Sequence, residues 1–254
     1  MTTAASIYPL AGTRYAGNAN NTTDGGISVE LSTGTGYVPL IPLGTIITVN
    51  DPYWGTQELI RLQAPASTVA NVGTVWTYDA NWLAAAVAVS TNLNQPCAVA
   101  MSYTPSTATA QYVWAIIGGR APVLASAAFA SGAPAYISAT AGKVFTTATT
   151  GRQLVSMRSV AAATATVAKA NTTTVNGSAV LKVSNTNGWF VGVALSGTGI
   201  PTATIIAIDP DDRTVTMSAN ATASGSVTVT GTYNDSTLFW PTCIFSRPAL
   251  VNNP

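Results

Sequence analysis

A chain of 254 residues is long enough for one large β domain or two smaller ones, either with a proper buried core. Ten Lys and Arg stand against nine Asp and Glu, a net charge of +1, and only 7% of residues are charged where about 25% is ordinary. That balance excludes an electrostatic footprint for nucleic acid or an anionic membrane, and the complete absence of histidine removes the commonest general base and metal ligand.

Residues 1 to 10 lack the basic start and apolar core of a signal peptide, and no apolar run reaches about 18 residues, the length of a transmembrane helix. The expectation is synthesis in a cytoplasm and no membrane partner. Residues 1 to 42 are rich in turn formers, among them Gly17 to Asn21, Asp24-Gly25-Gly26 and Gly34-Thr35-Gly36, and only Ile27 to Leu31 alternates cleanly. So long an unpatterned segment is unusual inside a compact domain. It reads as an extended N-terminal arm that orders against a neighbour, anchored by Tyr8, Tyr15 and Tyr37; a disordered terminus is the plainer alternative.

Residues 43 to 160 read as one antiparallel β-barrel or sandwich body. Short apolar runs alternate with Gly and Pro at about ten-residue spacing. Candidate strands are Thr45 to Val49, Glu58 to Leu62, Thr74 to Tyr78, Cys97 to Met101, Ala135 to Ser138, Lys143 to Thr146 and Leu154 to Arg158. The turn at Asp51 to Gly55 carries two exposed-looking aromatics, Tyr53 and Trp54, which join the arm tyrosines as candidate interaction residues. Trp82 to Val89 suits either a short helix or an edge strand, with strand preferred. At the centre, Tyr112 to Ile117 forms an aromatic and β-branched strand expected to stop at Gly118-Gly119. A second strand, Ala121 to Leu124, follows.

Residues 161 to 172 read as a connector, and residues 173 to 232 as a second, smaller β-sandwich of Thr, Val, Ala, Ser and Gly. The aromatic run Thr237 to Phe245 has the hydrophobicity of a core strand. It is expected to return and complete the first body (residues 233 to 247), which makes the small domain an insertion, with residues 248 to 254 as a tail. The fold class expected is therefore all-β.

No constellation for catalysis stands out. Asp209-Pro210-Asp211-Asp212 offers oxygen ligands for calcium, yet it lacks an alternating ligand loop and a closing Glu, and reads as a hairpin turn. Ser156 has no base partner and no nucleophile-elbow pattern. Gly34-Thr35-Gly36 and Ser196 to Gly199 lack the Lys of a phosphate loop. The six tryptophans are spread over separate strands and read as core and interface anchors rather than a sugar platform. Cys97 and Cys243 read as reduced core residues. The expectation is a protein that is not an enzyme and has no cofactor and no metal.

Two stretches carry a resemblance. Tyr112 to Val123, then Gly132 to Tyr136 and Ala141 to Val144, preceded in order by Gly55 to Leu62, Gly73 to Trp76 and Pro96 to Ala100, resemble the head decoration (cement) proteins of tailed bacteriophages. Val193 to Pro201, Ile205 to Asp209, Thr214 to Ser218 and Ala221 to Gly225 look like a small β module that recurs in phage virion proteins. The resemblance implies a homotrimer on the capsid surface of a virion that binds the major capsid protein and stabilises the head. A carbohydrate- or host-surface-binding module, or a tail or fibre subunit, are the alternatives.

Overall fold

The structure, a computed structural model, describes residues 30–31, 42–51, 53–64, 67, 69–87, 95–101, 104, 111–162, 165–209, 211–234 and 238–251. Every regular element among them is a strand. The first ten are β1 (Glu30–Leu31), β2 (Ile46–Asp51), β3 (Gly55–Ala64), β4 (Val75–Tyr78), β5 (Ala84–Ala86), β6 (Cys97–Ala100), β7 (Gln111–Pro122), β8 (Pro134–Ile137), β9 (Val144–Phe145) and β10 (Gln153–Ala161). Six more follow: β11 (Thr166–Thr174), β12 (Val180–Lys182), β13 (Ala194–Gly197), β14 (Ile200–Asp209), β15 (Thr214–Met217) and β16 (Gly225–Thr232). β17 (Thr242–Val251) ends the series. β1 to β10 and β17 form one 11-stranded sheet, and β11 to β16 close a barrel.

β7 is the strand on which the sheet is built. One edge is paired by β3 from Gln111 to Gly118. The other edge is shared along its length by β1 at Gln111–Tyr112, β6 at Ala115–Ile116 and β17 at Gly118–Pro122. Trp114 and Ile116 enter one core cluster, whereas Val113, Ala115 and Ile117 enter another. A strand buried on both faces reads as a continuous apolar run, which is why this stretch stands out in the sequence.

Gly118 and Gly119 lie inside this strand and do not end it. Glu58 pairs with Gly118 but Leu59 pairs with Ile116, so Ile117 is an extra residue and the ladder bulges. Gly119 has φ +104°, and a Cβ there would lie 2.5 Å from the Thr56 carbonyl oxygen. Glycine permits the bend, so the two expected strands are one.

β17 lies between β7 and β10, antiparallel to both. It runs to Val251, beyond the expected start of a tail at residue 248, because Pro248 falls in a bulge, where its missing N–H breaks no ladder bond. The barrel thus sits in the chain between two neighbouring strands of the sheet.

The small unit differs from the expected sandwich. Its strand order, β11-β12-β15-β14-β13-β16, closes because β16 pairs with β11. The residues expected as a connector supply most of β11. There Val167 and Lys169, then Thr172 and Thr174 beyond a bulge, point inward, a period-two pattern that the bulge and small polar residues conceal. Leu181, Val215 and Val229 fill the barrel and are fully buried.

Candidate interaction surface

The turn between β2 and β3 is built by Asp51. Its Oδ1 accepts the N–H groups of Tyr53 at 2.6 Å and Trp54 at 2.7 Å. Burial pushes the Asp51 carboxyl above its ordinary pKa, while those two N–H groups and the nearby Arg120 guanidinium pull it back in part. The turn aims both aromatics at the barrel. Trp54 is only 6% exposed, contrary to its expected place on the surface, whereas Tyr53 stays partly open.

Around them runs an aromatic seam that joins the two units. The Tyr53 ring lies against Gly188, where a Cβ would approach to 3.0 Å. Trp54 and Tyr233 have ring centroids 6.0 Å apart, Tyr233 and Phe190 5.4 Å, and Phe190 and Trp240 5.3 Å at 80°. Tyr233 donates its O–H to the Gly188 carbonyl at 2.7 Å, and Trp240 donates its indole N–H to the Val72 carbonyl at 2.8 Å. Burial raises the Tyr233 pKa well above the ordinary phenol value, so this hydroxyl remains a donor. Trp54 therefore holds the chain to itself, whereas Tyr53 packs one side of its ring on Gly188 and keeps 36% of its surface open. Tyr8, Tyr15 and Tyr37 lie outside the described residues.

The open surface lies elsewhere, across β3, β7, β17, β10 and β8. A groove of about 610 Å³ crosses these neighbouring strands, with Glu58, Gly118, Ser156, Arg158, Ile244 and Ser246 among its walls. Its relief comes from a row of bulges. Val155 pairs with Ala249 and Met157 with Phe245, so Ser156 alone faces Ser246, Arg247 and Pro248. Ser156 (φ +63°) and Arg247 (φ +45°) both hold left-handed backbone, which costs about 1–2 kcal/mol for a residue other than glycine. Ile244 in the groove wall is 50% exposed, a large apolar residue left uncovered, and Val155 on the neighbouring strand β10 is 41% exposed.

A second cavity of about 390 Å³ adjoins the bulge and is lined by Ile46, Tyr78, Trp82, Pro96, Arg247 and Pro248, over Ile60 and Ile117. The Tyr78 and Trp82 rings lie 5.9 Å apart at 28°. Trp82 also holds left-handed backbone, at φ +64°. Asp79 fixes its loop by accepting the N–H groups of Asn81 and Leu83 at 2.8 and 2.9 Å, and the indole lies against Gly44, where no Cβ would fit. Glu58 in the groove and Arg247 in the cavity are ion-paired at 3.4 Å. The two hollows thus share one charged divide.

Other candidates carry structural roles. Asp209 Oδ1 accepts the N–H groups of Asp211 and Asp212 at 3.0 and 3.1 Å, the Asx turn of the β14–β15 hairpin. Among the described residues no group of three His, Cys, Asp or Glu side chains could hold a metal. Cys97 and Cys243 are buried thiols outside any disulfide, and burial pushes the Cys243 thiol up to about 12. Arg158, Arg247 and Ile244 were not singled out from the sequence. The one local signal was Arg247-Pro248 directly after an aromatic run, an awkward pair for a regular ladder. The chain matches no protein-family model, no curated protein and no solved structure.

Proposed function

We propose that this chain is a virion structural protein, a capsid decoration subunit that binds the major capsid protein on the head surface and stabilises the shell as a homotrimer. The observation that supports it is the bulged sheet face, where Ile244 in the groove and Ile46 in the adjoining cavity stay uncovered. Uncovered apolar residues ringed by polar ones suit a contact repeated over a lattice, where modest contacts add through avidity. The barrel, inserted between β10 and β17 and held by the aromatic seam, is the outward knob of this arrangement.

The test is the solution mass of the full chain and of a chain lacking residues 1 to 29, which keeps β1, followed by co-sedimentation with capsids of the phage that encodes it. A trimer that binds capsids, and that keeps its mass but loses capsids without the arm, supports the proposal. A monomer that ignores capsids and binds glycans would move the assignment to a surface-binding module.

A further inference from the structure

We infer that the groove and the cavity on either side of the Glu58–Arg247 pair together take one extended segment of a partner polypeptide, a segment with acidic side chains flanking a bulky apolar one. This rests on the reading of the sheet face as the assembly surface and names the chemistry of its partner. Charge complementarity points to the occupant. Arg158 lines the groove, is exposed, and makes no ion pair among the described residues. Arg247 is 67% exposed at its side chain and offers only Nε to Glu58, leaving the two terminal nitrogens of the guanidinium fork to solvent. Against these two cations the lining of both hollows holds one carboxylate, Glu58.

The cavity supplies the anchor. Its walls are Ile46, Trp82, Tyr78 and two prolines over an isoleucine floor, with Arg247 as the charged group at the rim. A sugar would find few hydrogen-bond partners there, whereas a large apolar side chain would be enclosed on several sides, as interface anchors are. Backbone strain converges on the same place. Trp82, Arg247 and Ser156 hold left-handed conformations, and such outliers gather where a structure clamps a ligand. A peptide crossing the β17 bulge would set its apolar residue between Trp82 and Pro248 and its acidic residues on Arg247 and Arg158.

The test uses the full chain and two labelled synthetic decapeptides, one alternating Glu with Val and Phe, the other with Lys in place of every Glu. Fluorescence anisotropy should show saturable binding of the Glu peptide that weakens with salt, and binding of the Lys peptide weaker by about tenfold or more. Arg158→Glu and Ile46→Glu, both at exposed positions, should each weaken the Glu peptide about tenfold. Lys182→Glu, the same charge change on the outside of the barrel, should leave it unchanged. Equal affinity for both peptides, no saturable binding, or an equal loss with Lys182→Glu overturns the inference. Capsid co-sedimentation separates the two levels. Wild type and Arg158→Glu binding capsids alike would remove the acidic partner and keep the assembly reading. Wild type failing to bind capsids would remove the assembly reading, and the peptide titration then decides the chemistry of the site alone.

Discussion

Trp240→Phe tests the seam most directly. Trp240 is fully buried, donates its indole N–H to the Val72 carbonyl at 2.8 Å, and meets Phe190 edge-on at 5.3 Å. Its ring also touches Gly73 on the sheet side and Gly192 on the barrel side. Phenylalanine keeps a ring but leaves that carbonyl without its partner, a cost of about 1–3 kcal/mol. The smaller ring leaves a void on the order of 40 Å³, which at about 24 cal/mol per Å³ adds about 1 kcal/mol. The sum is about 2–4 kcal/mol, localised where sheet and barrel meet. Scanning calorimetry of the wild type should show one cooperative transition, because a single core cluster runs through both units. In Trp240→Phe that transition should move down and split into separate sheet and barrel components. Trp189→Phe is the control, since it removes a comparable bond, to the Val167 carbonyl at 2.9 Å, within the barrel alone. It should lower stability without splitting. A loss below about 1 kcal/mol in Trp240→Phe with an unsplit transition would refute the assignment of the seam as the coupling element.

Three further outcomes are expected. Gly73→Ala should cost about 1–3 kcal/mol in urea unfolding, since its φ is +88° and a Cβ would come within 2.7 Å of the Leu124 backbone nitrogen. Asp51→Asn should change the pH dependence. The Asp51 pKa in the fold lies above the ordinary 3.8, so wild-type stability gains from this group as pH falls from the folded pKa towards 3.8. The variant lacks that gain, so its stability relative to wild type should fall through the same window and level off below it; a constant difference across the window would contradict the buried-carboxylate account. Native protein should leave both thiols unreactive towards a disulfide reagent at neutral pH, with two thiols appearing on denaturation, since Cys97 and Cys243 are buried and the latter's thiolate is disfavoured. Fast native labelling of either would refute it.

The amino-acid sequence by itself determined the class of fold and the place of its main strand. Apolar runs broken by Gly and Pro specify strands through local propensity and period, and the double-sided burial of β7 is visible as an unbroken run from Tyr112 to Ile117. The aromatic run around Trp240 and Phe245 likewise shows its burial without any coordinates, since so much apolar surface must be covered. The rest depended on partners distant in the chain. Gly118-Gly119 ends a strand by local rules, yet here it continues one beyond the bulge at Ile117, because β3 and β17 pair with it on either side. Residues 166 to 172 look like a linker until β16 closes the barrel against them, and closure by one non-local pairing is also what separates a barrel from a sandwich. Trp54 looks like a surface anchor because turns are normally solvated. Its burial comes from a barrel inserted more than a hundred residues later. The groove is the least legible feature of all. It is made where bulges on adjacent strands coincide, and that coincidence exists only in the tertiary structure.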